Sequence, residues 1–498
     1  MSKKNQNYTN RKQNRFQPER MRGNVFVNNS GKQWLPGENG RAAKVERLLR
    51  GVKEKKKEIA GNMAGYKDSG IEWIGAIPEG WDIIRIGYAF CLRSEKNYLP
   101  KDKVQLLSLY TGVGVFPTGS ENTKASGNHA QTVIGYKIVH KNDIVVNIIL
   151  AWMGAIGESN YDGVVSPAYD VYIPDLLKIV PHYAHYVFRT DGIAGECFKY
   201  GRGIMLMRWR TYSSEFKQIK IPFPPLPEQQ RIADFLDTKC GILDRTIDAV
   251  SRQIEDLEKY KKALITKTVT KGICKKGEAK RKMKDSGVEW IGDVPEEWSV
   301  KRLKYVLASI RNGAPAAAVE YSSELPRYVR ITDIDDNGRL KETGKQSLPE
   351  DIAKRYMLDK EAVLIASVGS LGKTMLFNPD TEKEKCAFAG YLIEAVTNPE
   401  AMNSKFLFYF IKSNAYMDWA NRNFVQTTIQ NLSAGRHKNL PVTVPPLAEQ
   451  QQIADYLDEK CKNIDNRVQK RRQQLEWLKE YKKSLIFDYV TGKKRVEE

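Results

Sequence analysis

The chain has 498 residues, 41% of them hydrophobic, and a formal net charge of +20. That length holds two to four domains with real cores, and that charge favours a polyanionic partner, usually nucleic acid. No apolar run reaches membrane-spanning length, the polar N-terminus has no signal-peptide core and the six cysteines stand far apart. These features argue against a membrane span, a secreted disulfide framework and a cysteine zinc site, and the expectation is a soluble cytoplasmic protein.

Residues 1–65 carry sixteen Lys/Arg against five Glu, net +11, so the remaining 433 residues carry only +9. This basic extension is rich in Asn, Gln and Gly and is expected to be largely disordered. Arg41–Glu58 has the composition of a short basic helix, although a solvated charged arm is the simpler reading. At Lys67 a motif begins, Lys67-Asp68-Ser69-Gly70-Ile71-Glu72-Trp73-Ile74-Gly75, which returns 217 residues later as Lys284-Asp285-Ser286-Gly287-Val288-Glu289-Trp290-Ile291-Gly292. Proline and tryptophan follow each copy (Pro78 and Trp81, Pro295 and Trp298), then a strand-like run, Ile83–Ile86 or Val300–Leu303.

The regions behind these motifs, about 82–222 and 299–443, barely resemble each other. Runs rich in Val, Ile, Leu and Tyr predict strands at Val104–Tyr110, Tyr136–Val139 and Asp143–Ala151 in the first. In the second they predict strands at Tyr328–Ile334, Ala362–Val368 and Tyr391–Val396. Helices are predicted over Pro181–Thr190, with its proline in the first turn, and over Ser404–Asn414.

Each region runs into a second repeated segment. Pro224–Cys240 and Pro445–Cys461, offset by 221, differ only at 227/448, 231/452, 235/456 and 238/459. Prolines at the start and apolar residues at alternating steps of four and three predict a long helix in each. The seam is Leu243, Ile247, Val250, Ile254, Leu257 and Leu264 in one, and Ile464, Val468, Leu475, Leu478 and Leu485 in the other. This is coiled-coil spacing, and two such runs in one chain point to pairing with each other. A helix of about 44 residues spans roughly 65 Å.

The search for catalytic groups is mostly negative. Ser367–Thr374 resembles a phosphate loop but has Ser367 where the first glycine belongs, so a strand ending in a tight turn is the better reading. Asp175, Glu215 and Lys217 have the outline of a Mg²⁺-dependent nuclease site, with a loose pattern and a long gap. His182 and His185 lie three apart on a predicted helix with no neighbouring ligand residue, which suits a surface or interface more than a zinc site. No glycine-rich cofactor loop follows a strand.

Binding signals are stronger. Tyr200–Arg210 contains Arg202, Arg208 and Arg210 with two aromatics among glycines. Its positional counterpart, Val425–Ser433, contains Thr427, Thr428, Gln430 and Asn431. Arginine pairs bidentately with guanine, and Gln and Asn with adenine. Both stretches are candidate DNA contacts, with a polar surface loop as the alternative for any single residue.

The doubled Pro-Pro-Leu-x-Glu-Gln-Gln-x-Ile-Ala-Asp-x-Leu-Asp at 224–237 and 445–458 and the doubled Asp-Ser-Gly-x-Glu-Trp-Ile-Gly-x-x-Pro at 68–78 and 285–295 resemble the specificity subunit of type I restriction-modification systems. Trp152–Gly157, Ser166–Tyr169 and Tyr328–Ile334 match as well, and Arg330 and Thr332 in the last stretch are further candidate DNA contacts. The resemblance covers about 65–492; the 1–65 extension has no counterpart. It implies an α+β chain with a pseudo-two-fold internal repeat: target-recognition domains at 66–222 and 284–443, long helices at 223–272 and 444–493, and a linker at 273–283. The helices would pair as an antiparallel coiled coil that spaces two readers of a bipartite double-stranded DNA target. The resemblance also implies a non-catalytic subunit. Two modification (methyltransferase) subunits would supply S-adenosylmethionine chemistry, and restriction (translocase/nuclease) subunits would supply ATP- and Mg-dependent cleavage. Glu228, Gln229, Gln230 and Glu449, Gln450, Gln451 would then be docking candidates, with helix capping as a role they could share. A stand-alone nuclease and a non-enzymatic coiled-coil scaffold are the alternatives.

Overall fold

A computed structural model of the chain describes residues 65–112, 114–119, 132–203, 209–273, 281–423 and 432–496, with the backbone of a small hairpin, Phe26–Val27 against Gln33–Trp34. The predicted helix at Arg41–Glu58 lies outside the described residues. The chain divides into two compact units, Met1–Ile242 with Glu480–Glu498, and Leu243–Lys479. Both boundaries fall inside the long helices, Leu226–Lys271 and Leu447–Val490. Among the described residues no helix is long and apolar enough to cross a membrane.

The repeated motif folds the same way twice. Tyr66–Asp68 pairs with Ala76–Pro78, and Met283–Asp285 with Asp293–Pro295. The turn between needs glycine: Gly70 and Gly287 sit at φ +66° and +71°, and each backbone N–H donates to the preceding Asp68 or Asp285 carboxylate at 3.0 and 2.9 Å. The next strand then pairs with the last strand before a long helix, Asp82–Arg85 with Lys220–Phe223 and Ser299–Arg302 with Pro441–Val444.

Between these frames the divergent regions hold sheets of one topology. In the first unit the order across the sheet is Ile156–Glu158, Ile144–Asn147, Tyr169–Pro174, Phe90–Leu92. In the second it is Thr374–Phe377, Ala362–Ala366, Leu392–Thr397, Leu307–Asn312. Both run third, second, fourth, first in chain order, and every pair is antiparallel. A helix pair follows each sheet: Pro181–Phe188 and Asp191–Tyr200, or Ser404–Ile411 and Asn414–Asn423. The insertions after the first strand differ. The first unit has a hairpin, Leu107–Tyr110 with Gly114–Pro117; the second has Arg327–Val329 lying parallel to Cys386–Phe388.

Two predicted elements end early for local reasons. Tyr328–Ile334 is a strand only over Arg327–Val329, because Asp333 accepts from the Arg330 backbone N–H and turns Ile331–Asp333 into a 3₁₀ helix. Ser404–Asn414 breaks at Ile411, because the Ser413 hydroxyl accepts from the Tyr416 N–H at 3.3 Å and starts a new helix.

Within the second unit, Leu243, Ile247, Val250, Ile254, Leu257 and Leu264 share one apolar cluster with Ile464, Val468, Leu475 and Leu478. Lys261 Nζ bonds both Asp465 carboxylate oxygens at 2.6 and 2.7 Å, and Arg472 donates to Glu258 at 2.7 Å. Partner numbers fall on one helix as they rise on the other. The same unit packs Trp298, Val363, Ile393, Phe406 and Trp419 into one core with Ile265, Val269, Ile453 and Leu457 of the long helices.

Candidate nucleic-acid interface

At one end of each central sheet, three loops are drawn together. In the first unit, strand Ile144–Asn147 runs into a 3₁₀ turn at Ala151–Met153 that closes on Gly154 at φ +82°. The Ile148 N–H donates to the Ala168 carbonyl at 3.2 Å, and the Thr211 N–H to the Ile148 carbonyl at 2.9 Å. These bonds bind the 148–155, 166–168 and 201–211 segments to one another. Arg202 and Arg210 exchange two backbone hydrogen bonds of 2.8 and 2.9 Å, which makes a narrow neck. Trp209 stacks on Phe198 at 5.2 Å and Trp152 packs against the same ring at 5.9 Å, so aromatic packing holds the neck in place.

The second unit repeats the arrangement. Ser367 accepts from the Leu432 N–H at 2.8 Å, the counterpart of the Thr211–Ile148 bond. The Ser367 N–H and hydroxyl both donate to the Tyr391 carbonyl at 2.9 Å, leaving the Tyr391 ring 66% exposed. The Ser367–Thr374 stretch is a tight turn between Ala362–Ala366 and Thr374–Phe377, with Gly369 and Gly372 at φ +69° and +78°.

The predicted base readers fall differently on this geometry. Arg208, Thr427, Thr428, Gln430 and Asn431 lie outside the described residues, although the flanking residues Arg202, Arg210 and Leu432 stand at the gathered sheet end. Arg202 and Arg210 are exposed. Arg202 pairs with Glu215 at 2.5 Å, and the Ser214 hydroxyl first and Arg202 after it hold the Glu215 carboxyl below its usual range. An exposed pair of this kind contributes about 0–1 kcal/mol, so the guanidinium exchanges readily for another anion. Arg330 is engaged within its own unit. Its guanidinium grips Asp333 at 2.9 and 2.7 Å and also donates to Gly344 and Gln346, so it ties down its own loop. Thr332 is exposed, but its carbonyl accepts from Lys341 Nζ at 2.8 Å.

The docking candidates divide in the same way. Gln229 is fully buried: its amide donates to the Lys178 and Pro224 carbonyls and its oxygen accepts from the Val180 N–H at 2.9 Å. Gln450 does the same with Ala401, Pro445 and Asn403. Glu228 accepts from the Trp81 indole at 2.9 Å and pairs with Arg495 at 3.3 Å. Glu449 accepts from the Trp298 indole at 2.9 Å and from Arg281 at 2.5 and 2.9 Å. These four anchor the long helices to their own units, a role that the sequence did not point to. Gln230 and Gln451 are exposed and bonded to Asp234 and Asp455 one turn on.

The nuclease outline is not assembled. Asp175 pairs with Lys178 at 2.8 Å and accepts from the Leu177 N–H in its own turn, while Glu215 is taken by Arg202. Among the described residues no group of three His, Cys, Asp or Glu is placed to hold a metal ion. His182 lies between two carboxylates, Glu158 and Asp237, each at 2.6 Å, and the half-buried His185 stacks beside it. Neither contact was legible in the sequence, because Glu158 and Asp237 lie 24 and 55 residues away from His182.

Comparison with known proteins agrees with this doubled architecture. The family model described as type I restriction modification DNA specificity domain matches residues 78–259 and again 295–476. The type I restriction enzyme MjaVIII specificity subunit of Methanocaldococcus jannaschii is 26% identical over 433 residues, 84% of this chain and 94% of that protein. The MjaIX specificity subunit of the same organism is 23% identical over 450 residues, 89% and 92% of the two chains. A chain of a solved structure on the assembly and conformational transition of the type I R-M system covers 83% of this chain and 98% of its own length, with a TM-score of 0.62 at 16% identity, a likeness of fold. With that domain present twice, the chain belongs to the type I restriction-modification DNA specificity family.

Proposed function

We propose that this chain is the DNA sequence-specificity subunit of a type I restriction-modification complex, and that its two units each read one half of a bipartite double-stranded target. The observation that carries the reading is the repeated construction: two sheets of identical strand order, each gathering three loops at the same end. Divergent loops on a common frame suit two readers of different half-sites. Lysines and arginines around the loops bind phosphates and set register, while side chains on the loops meet base edges in the major groove. Arg202, Arg208 and Arg210 serve one half-site, and Thr427, Thr428, Gln430 and Asn431 the other.

In this reading the long helices form an antiparallel coiled coil that fixes the distance between the half-sites, supported by the shared seam and the Lys261–Asp465 and Glu258–Arg472 pairs. The chain is non-catalytic. Two methyltransferase subunits bring S-adenosylmethionine, restriction subunits bring ATP- and Mg-dependent cleavage, and the exposed Gln230 and Gln451 remain available for docking them.

The test is to co-express the chain with the products of its neighbouring genes, purify any complex and map adenine methylation on plasmid DNA. The expected map is a split motif with a constant spacer. Methylation that does not depend on this chain, or a continuous motif, would overturn the proposal. Cleavage by the purified chain with Mg²⁺ alone would favour the nuclease instead.

A further inference from the structure

The two units anchor the helix that follows the central sheet to a long helix through equivalent positions. In the second unit Lys405 Nζ and the Tyr409 hydroxyl donate to Asp458 at 2.7 and 2.6 Å. In the first, His182 Nε2 and the Tyr186 hydroxyl meet Asp237 at 2.6 and 2.7 Å. Asp237 and Asp458 are the same position of the repeat. The cation differs, and so does its other side. His182 Nδ1 also meets Glu158 at 2.6 Å, on the edge strand Ile156–Glu158. Leu376, half-buried against the core that holds Phe406 and Tyr409, stands at the matching register in the second unit: Glu158 lies opposite Ile144 and Leu376 opposite Val363, and Ile144 and Val363 stand four residues before Ile148 and Ser367 respectively.

We infer that His182 is a proton-dependent positioning residue, which locks the edge strand, the helix Pro181–Phe188 and the first long helix together and so holds the first unit's reading loops in place. The inference rests on the proposed function. It makes the two half-sites unequal: one is read by a unit anchored through an imidazole, the other by a unit anchored through the Lys405 ammonium.

The geometry requires the imidazolium, because only the charged ring donates from both nitrogens to two carboxylates. The Glu158 hydrogen bond, with that of Asp237 and against the cost of burial, raises the His182 pKa to about 9. A folded-state value above the ordinary 6.5 means that the contribution is complete at low pH and is lost as pH rises through about 9. The surrounding groups do not take over the role. His185, stacked on His182 at 5.6 Å, is driven down to about 3 by burial, with Arg189, His182 and Lys482 of the second long helix adding to the effect. Tyr186, on the same helix, is raised by burial and by its bond to Asp237 and stays neutral. Above pH 9 the neutral ring donates once, so either Glu158, 7% exposed, loses its bond to His182 or Asp237 keeps only the Tyr186 hydroxyl.

The test uses the complete methyltransferase complex on duplexes carrying the split motif or a substitution in one half, from about pH 6.5 to about pH 9.5. The wild type is expected to lose about fivefold discrimination at one half-site as pH rises, and none at the other. His182→Lys, which copies the second unit, should abolish that response. Lys405→His should create one at the other half, at lower pH because Leu376 and not a carboxylate stands at the position of Glu158. His182→Gln, neutral throughout, should show the high-pH behaviour at every pH, and a thermal melt of each variant separates this from unfolding. A response equal at both halves, or one that His182→Lys leaves unchanged, overturns this inference alone. The absence of any split motif overturns the proposed function and this inference with it.

Discussion

Replacing Trp81 by alanine is expected to destabilise the first unit by about 3–5 kcal/mol, the range for emptying a buried indole site. Trp81 is 1% exposed and packs where Gly492 closes the second long helix; a Cβ at Gly492 would stand 3.1 Å from the ring. Its Nε1–H donates to Glu228 at 2.9 Å, so the substitution also leaves a 9%-exposed carboxylate with Arg495 as its remaining partner. Trp81→Phe keeps most of the ring volume and loses the donor, and should cost about 1–3 kcal/mol. Trp298→Ala should do the same to the second unit through Glu449. Denaturant unfolding of the purified chain reads all three. A Trp81→Ala change within about 0.5 kcal/mol of wild type would remove the anchor from the account.

Gln450→Leu is the second large effect. The side chain is fully buried, and its amide saturates the Ala401 and Pro445 carbonyls at 3.1 and 2.9 Å while its oxygen takes the Asn403 N–H at 2.8 Å. Leucine fills similar space but strands these groups, each at about 1–3 kcal/mol, for an expected loss near 3 kcal/mol. Gln229→Leu should match it in the first unit through Lys178, Pro224 and Val180. The exposed neighbour Gln451 is the control: Gln451→Ala should stay within about 0.5 kcal/mol. The decisive readout is stability of the isolated chain. If Gln450→Leu leaves it unchanged and only weakens capture of the methyltransferase, the residue belongs to a docking surface after all.

These pairs show which features could be read from sequence. The repeats were visible because near-identical residues recur at offsets of 217 and 221, and the seam because Leu243 to Leu264 keeps a period near 3.5. The common sheet topology was hidden: only hydrophobicity is shared between strands such as Ile144–Asn147 and Ala362–Ala366, and strand order is set by long-range pairing. Gln229 and Gln450 looked like exposed polar residues at a helix start, because the backbone groups of Lys178, Val180, Ala401 and Asn403 that engage them lie 47–51 residues away. Arg330 looked like a base reader for the same reason, since its engagement with Gly344 and Gln346 depends on a loop that returns fourteen to sixteen residues later. The doubled anchors, Trp81–Glu228 and Trp298–Glu449, join the two repeated motifs to each other, which is a physical reason for both to recur.

If the long helices pair as proposed, their length sets the separation of the two readers. Deleting one heptad from each, residues 247–253 and the matching 473–479, keeps the seam in register and shortens the pair by about 10 Å, close to three base pairs of DNA. The measurement is the adenine methylation map of the complex carrying both deletions beside that of the wild type. The account predicts the same two half-sites with a spacer shorter by about three base pairs. An active complex with an unchanged spacer, or with altered half-sites, would contradict it.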